Sequence, residues 1–481
     1  MECISFSTEV LVLGAGAAGL VAAIEAAQSG AKVLVVSKMG PQDTNCTISA
    51  WGGFTYAPES RVHELFRQVV ETSGYLANQR LVEVFAHRAP KVAQYLADFG
   101  VALDVLDEAD KKNQLGIVKL RGKGRTTGLA LTTRLRARAE ELGAKFLDRV
   151  MVSSLVTEDG RIAGVVGVDL ADGKLLSIST KAMVLATGGG ACLYGRTDNP
   201  AGATADGIAM AYEAGAELVD LECVSFQFPA NRLDGLFAVK NAPDEGLLRF
   251  GGAHYYLGGL RIDERARTNI DGMYAAGETT GGVFGAARLG GAALADAVVF
   301  GAMAGKETAI IAMERQTNGL SRAHVERERR RMEKMLASKG TPAPEATERL
   351  RAAMWRYAGT MKTRQTLEQA GRELDALEPL RGDVRAANPA QLRDALEFLN
   401  LLTVARLIVA ASLLREESRG CFWRLDFPKP DNANWARNIH MWQSGGKAQV
   451  AVRQSVMSRL TPPTQPRIGA GCFPYLPPTE P

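Results

Sequence analysis

The sequence predicts an α/β fold that gives way to a helical C-terminal part, on three observations. Near the start, "EVLVLGAGAAGLVAAIEAAQSGAKVLVVSK" reads as an apolar strand, a glycine turn, an Ala-rich helix and a second apolar strand. Two later stretches, "AMVLATGGGA" and "GMYAAGETTGG", again run a strand into glycines. Late in the chain, "RLRAAMWRYAGTMKTRQTLEQAGRELDAL" and "QLRDALEFLNLLTVARLIVAASLLREE" repeat apolar residues at helical spacing, as packed helices do.

Composition sets the bounds. A chain of 481 residues has room for two or three domains at roughly 150 residues each. Its 46% hydrophobic and 23% charged residues suit a soluble globular protein, and a net charge of +4 is too weak to argue for nucleic acid. The start lacks the basic region and cleavage site of a signal peptide. The apolar run Leu396 to Leu414 contains Glu397 and Arg406, so it reads as a buried helix and not a membrane span. The expectation is a soluble, cytoplasmic protein. Cys3, Cys46, Cys192, Cys223, Cys421 and Cys472 are scattered with no C-x-x-C. Each is expected as a reduced thiol, and neither zinc nor an iron–sulfur cluster finds its usual spacing. Any one-electron relay must then sit on another chain.

In the first element, Gly14, Gly16 and Gly19 keep G-x-G-x-x-G spacing between strand and helix. The first glycine permits the tight turn, the second lets backbone approach a pyrophosphate, and the third lets helix meet strand. This context predicts a Rossmann-like dinucleotide site. The second strand ends at Ser37 and Lys38 without the acidic residue that commonly holds a ribose, though Ser37 can still hydrogen-bond there. The later glycine turns exceed what one nicotinamide unit needs and suit a chain wound around FAD. Glu278 then faces a ribose or ribityl hydroxyl, against the plainer reading of a carboxylate at the start of a helix. In "VFGAARLGG", Arg288 is the only charge between Glu278 and Asp296. A guanidinium in so apolar a stretch needs a solvated or anionic partner.

Together with "SAWGG", "TTGLALTTRLRARAEELGAKFL", "TADGIAMAYEAGAELVDLE", "AHYYLGGLRID" and "REESRGCFWRLDFP", these motifs make the chain resemble the succinate dehydrogenase/fumarate reductase flavoprotein family, which includes L-aspartate oxidase, over most of its length. The resemblance implies a discontinuous Rossmann-like FAD-binding domain, a cap domain inserted into it and a C-terminal helical bundle. It implies hydride exchange between FAD and a dicarboxylate or enoate, with a cap arginine moving the proton. On this pattern Arg288 and His254 are the expected catalytic residues, both facing a substrate carboxylate. Expected FAD contacts are Gly14, Gly16, Ala17, Ala18, Gly19, Ser37, Lys38, Thr44, Cys46, Thr47, Ala50, Gly52, Gly53, Ala186, Thr187, Gly188, Asp206, Glu278, Arg288, Ala293 and Leu294. No metal is expected. The "ESRG" stretch with Arg424 and Asp426 reads as domain packing and not chemistry.

The departures from the family pattern carry as much. Cys46 stands where covalently flavinylated members have histidine, so the FAD is expected to be non-covalent. Gln227 and Phe284 replace two further histidines, and Ala292 and Ala293 replace an Asn-Ser pair. Little more than "NRLDGLFAVKNAPDEGLLRFGG" separates Phe228-Pro229 from His254, where the family inserts a domain of about a hundred residues. Arg232, Lys240 and Arg249 lie in this remnant, but no proton-transferring residue is carried over. The expected division is 1–229 and 254–318 for FAD binding, 230–253 for the cap remnant, 319–420 for helices and 421–481 for an extension with a Pro-rich tail. A reduced cap leaves the flavin open to a partner. The expected role is the flavoprotein subunit of a redox complex with an iron–sulfur protein, acting on a small substrate and reaching a membrane only through other subunits. The alternatives are an electron-transfer subunit without its own substrate site, or a stand-alone FAD oxidase.

Overall fold

Strand β1 (Cys3–Leu13) lies inside a seven-stranded sheet, parallel to β2 (Val33–Ser37) on one side and to β3 (Leu175–Leu185) on the other. The computed structural model describes residues 1–50, 53–104, 116–120, 126–226, 252–317 and 319–463. Val10–Leu13 and Val33–Val36 are buried as unbroken apolar runs, which a parallel strand covered on both faces requires. Lys145–Asp148 extends the sheet beyond β2, and an antiparallel pair, Val150–Glu158 with Arg161–Asp169, extends it beyond β3. Two strands return from later sequence. β4 (Ala253–Tyr256) pairs with Val224–Phe226, and β5 (Met273–Ala275) joins β3 in parallel. The FAD-binding motifs of both halves therefore meet at the carboxyl ends of β1, β3 and β5, where open α/β sheets bind ligands.

Helix α1 (Ala17–Gln28) leaves the turn after β1 and packs against α2 (Ala292–Glu314). The two backbones nearly touch. A Cβ on Gly301 would sit 2.6 Å from the carbonyl oxygen of Ala18, and one on Gly305 would sit 2.3 Å from that of Ala22. At the turn itself Gly14 has φ +106°, and a Cβ there would meet the Ala186 carbonyl at 2.2 Å. Only glycine fits both the dihedral and the space.

Beyond α2 come the helices Arg322–Ala337, Ala343–Tyr357, Arg364–Leu377 and α3 (Pro389–Leu414). Among the described residues α3 alone is long and apolar enough to cross a membrane, and 72% of its most apolar window is buried inside the protein. Two of its polar residues point inward: Glu397 bonds Lys38 at 2.8 Å and Asn400 bonds Asp206 at 2.8 Å. Within the expected extension, Arg437–Ser444 and Lys447–Gln454 form a hairpin. It completes a five-stranded sheet with Leu218–Val219, Gly259–Arg261 and Thr280–Gly281. Residues 464–481 lie outside the described residues. One expectation is corrected: Cys421 is in a disulfide and not a reduced thiol, whereas Cys3, Cys46, Cys192 and Cys223 are free. Scattered spacing carries no signal for a pairing that the fold creates.

The C-terminal part is tied to the sheet region by buried charge. Arg415 is fully buried, with Nε 2.7 Å from Glu222 and Nη1 3.0 Å from Glu417. Arg419 bonds the other oxygen of Glu417 at 2.7 Å and the Gly74 carbonyl at 2.8 Å. Arg424 pairs with Asp426 at 2.8 Å and donates to the Ser412 carbonyl at the end of α3. The "ESRG" stretch is a packing joint.

The helix seam is testable. Gly305→Ala gains up to about 1 kcal/mol of helix propensity, but its methyl must displace a backbone oxygen, and such overpacking costs roughly 1–3 kcal/mol. The expected result is a net loss of stability, read as a lower urea midpoint at unchanged slope. A variant as stable as wild type would show that the two helices can separate at no cost.

Candidate functional site

Arg288 sits in the loop that enters α2, after the buried run Val283–Ala287. Its guanidinium lies 4.5 Å over the ring of Tyr255, and Nη1 donates to the Leu289 carbonyl at 3.2 Å. Nη2 stands 3.4 Å from His254 Nε2, and Nε is buried without a hydrogen-bond partner. A planar fork of donors with one arm unsatisfied suits a carboxylate or another flat anion. Gly291 caps α2 without any side-chain hydrogen bond; the Ala292 amide donates to the Leu289 carbonyl at 3.1 Å, and the next amides of the helix follow beside this loop.

His254 is held from its other side. On β4, its Nδ1 lies 2.9 Å from Asp198 Oδ2, and its carbonyl accepts from Asn199 Nδ2 at 2.7 Å. Asn199 Oδ1 in turn accepts from the Cys46 thiol at 3.0 Å. Burial, reinforced by the charge of Glu278, pushes that thiol well up, so Cys46 is not a ready nucleophile. Glu278 accepts from the amide of Tyr256 at 2.9 Å, and burial raises its carboxyl to about 7. Asp296, on α2, is raised to about 7 by burial against the opposing pull of Arg288, and its Oδ1 has no hydrogen-bond partner.

The expected FAD contacts fall in three groups. Gly14, Gly16, Ala17, Ala18 and Gly19 form the turn and first residues of α1, where Gly16 supplies no capping side chain and the Ala17 amide bonds Thr47 Oγ1 at 3.0 Å. Ala186, Thr187 and Gly188 follow β3 beside them, and a Cβ on Gly188 (φ +78°) would meet open space. Thr44, Cys46, Thr47 and Ala50 lie around the short helix Cys46–Ser49, and Gly53 starts the strand Gly53–Tyr56. Ala293 and Leu294 lie in the first turn of α2. The uncapped amides and glycine cradle fit a dinucleotide.

Other residues are engaged differently. Ser37 accepts from the Met39 amide at 3.2 Å. Lys38 is enclosed by Thr204, Asp206 and Glu397 at 2.6, 2.6 and 2.8 Å, so Lys38 and Asp206 satisfy one another. Gly52, Gln227, Arg232, Lys240 and Arg249 lie outside the described residues. Asp198, Asn199, Tyr255 and Asp296 escaped the sequence reading. Only the "DNP" turn signal, at Asp198 to Pro200, marked one of these places.

Comparison with known proteins gives the family and the fold. The family described as "FAD binding domain" matches residues 9–246 and 246–294, and that described as "Fumarate reductase flavoprotein C-term" matches 347–468. A fumarate reductase (CoM/CoB) subunit of Methanothermobacter marburgensis is 29% identical over 536 residues, covering 91% of this chain and 98% of its own. An uncharacterized FAD-dependent oxidoreductase of Methanocaldococcus jannaschii is 30% identical, covering 90% and 96%. Among solved structures, an E. coli quinol fumarate reductase superposes with TM-score 0.84 at 22% identity, over 96% of this chain and 99% of that one. Adenylylsulfate reductase of Archaeoglobus fulgidus superposes with TM-score 0.79 at 17% identity, over 95% and 98%. At such identities the structures show the fold. The 536 aligned positions exceed the 481 residues of this chain, and the first family match breaks at residue 246. The methanogen protein therefore carries sequence that this chain lacks.

Asp296 sets a pH dependence. Between its ordinary value of 3.8 and about 7, the folded protein keeps a proton that the unfolded chain has released. Stability then falls as pH rises through this window, by about 1.4 kcal/mol per unit for one such group. Asp296→Asn should flatten that decline in melting curves taken from pH 4 to about 7. Parallel curves for the two proteins would mean that Asp296 is ionised throughout.

Proposed function

Because the chain belongs to the succinate dehydrogenase/fumarate reductase flavoprotein family and is an FAD-dependent oxidoreductase, we propose that its site acts on a small carboxylate held between Arg288 and His254. The observation that carries this reading is the 3.4 Å approach of Arg288 Nη2 to His254 Nε2, with Arg288 Nε left unpartnered. FAD, when bound, supplies two-electron hydride exchange. The amides at the start of α1 and the glycines after β1 would hold its pyrophosphate, and Glu278 a ribose or ribityl hydroxyl. Arg288 binds and orients the substrate carboxylate, and His254 closes on it from the facing strand. Tyr255 stiffens the guanidinium from below and excludes water from one of its faces. The half-buried Cys46, whose thiol is held well above its usual range, supports FAD held without a covalent bond.

In this reading the protein is one subunit of a redox complex that passes electrons to an iron–sulfur protein, and membrane contact comes through other subunits. Two facts support it: the methanogen relative is itself named as part of a multi-subunit enzyme, and this chain spans less sequence than that relative aligns. A shorter cap leaves more of the flavin side approachable.

Arg288→Ala should retain FAD, which acid precipitation releases from both proteins, but lose carboxylate affinity at least tenfold, as removal of a charge-assisted bidentate contact implies. Flavin absorbance titrations with succinate and acetate read the loss. Unchanged affinity together with an unchanged flavin potential would make Arg288 structural. Anaerobic purification from the source should bring down an iron–sulfur polypeptide, visible by spin resonance after reduction. A lone flavoprotein turning over at full rate with oxygen would rule the complex out.

A further inference from the structure

Among the described residues His254 lies between two charged groups, Asp198 at Nδ1, 2.9 Å away, and Arg288 at Nε2, 3.4 Å away. Glu278 is near enough to feel its charge as well. Both oxygens of Asp198 reach Nδ1, the second at 3.1 Å. An ionised carboxylate can only accept, so Nδ1 carries the proton. Burial is the largest influence on Asp198 and works against its charge, but the hydrogen bond and charge of His254 and the hydrogen bond from Asn199 together outweigh it and hold the carboxyl below its usual range. With Nδ1 protonated, the neutral ring has its lone pair on Nε2, turned toward a guanidinium that only donates.

We propose that Asp198 is the positioning residue of this site: it fixes the tautomer and orientation of His254 so that Nε2 addresses the anion bound by Arg288. This rests on the carboxylate reading above. When a carboxylate arrives, Nε2 can meet it as a donor only by taking one proton from solvent. Asp198, on the far side of the ring, then balances the imidazolium so formed, in the manner of carboxylates behind ligating histidines. Asp198 does not touch the substrate. Asn199 braces the arrangement by bonding Asp198 Oδ1 at 3.0 Å and the His254 carbonyl at 2.7 Å through one amide group. The dyad is well placed for change by substitution, because the Asp198 side chain is 42% exposed and its truncation opens no core cavity.

The test uses the full-length, FAD-loaded protein with ¹⁵N-labelled histidine, His254→Gln supplying the assignment among five histidines. In its neutral form the wild-type His254 should carry its proton on Nδ1 and none on Nε2, and Asp198→Ala should move the proton to Nε2. Succinate and acetate, titrated by flavin absorbance, should bind Asp198→Ala about tenfold more weakly, with most of the loss recovered in Asp198→Glu. Arg288→Ala should abolish binding without changing the tautomer. A neutral wild-type His254 protonated on Nε2, or affinities equal within twofold in Asp198→Ala, overturns the positioning role while leaving the Arg288 reading intact. If Arg288→Ala binds the probes as wild type does, the carboxylate reading itself fails, and the positioning role falls with it even though the tautomer is as stated.

Discussion

Everything at the site depends on how closely α1 and α2 approach. One helix follows the glycine turn after β1, and the other begins four residues after Arg288. Their shared seam is made of Ala18, Ala22, Gly301 and Gly305, with carbonyl oxygens lying where any Cβ would go. Ala and Gly keep the backbones in contact, and that contact brings the amino ends of both helices to one end of the sheet. The glycine turn after β1 and the Arg288 loop, far apart in sequence, come to one end of the sheet because two helices carry almost no side chain at their contact. The same logic recurs at Gly14 and Gly19, where backbone again meets backbone. Such contacts depend on shape, and one methylene is felt in a close-packed interior.

A second constraint fixes the far half of the chain. Arg415, Glu222, Glu417 and Arg419 are buried together, joining the end of α3 to the strands that precede β4. Apolar residues of equal volume could hold these parts as firmly, since desolvating charges offsets much of their attraction. What the charged version adds is a defined arrangement: each guanidinium arm has an intended oxygen, so a shifted α3 would leave charges unpaired. Lys38 plays the same part nearer the site. Its ammonium gathers Asp206 and Glu397, and so joins the end of β2 to both the helix Asp206–Glu213 and α3.

How much of this the sequence reveals follows from the range of each interaction. The β1–α1–β2 unit and the glycine turns are legible because each depends on neighbours within a few residues; Arg288 stands out as a lone charge in an apolar stretch, and His254 only through the family resemblance. The family resemblance extends that reading to the helical part. Gly301 and Gly305 look like ordinary helix residues until a second helix is placed against them. Asp198 is legible as a turn residue but not as the partner of a histidine on another strand, because the 56-residue gap between them is closed by the fold. The hairpin Arg437–Ser444 with Lys447–Gln454 alternates polar and apolar residues, yet only its partner Leu218–Val219 makes it part of the sheet region. The Cys421 disulfide belongs to the same class.

The charge balance around Arg288 is set by burial. Two carboxyls, Asp296 and Glu278, lie close enough to influence it, and if both were ionised the guanidinium would already be neutralised. Burial prevents this. It raises both acids to about 7, because ionising a carboxyl in an apolar surround costs more than one neighbouring arginine returns. Below that pH they stay protonated and leave the field of Arg288 largely unspent. The third carboxyl, Asp198, is half-exposed, so it keeps its charge at little cost and directs it to His254. Arg288 and His254 thus meet at 3.4 Å with different acidic neighbours, the first beside carboxyls that burial keeps protonated and the second beside one that stays charged.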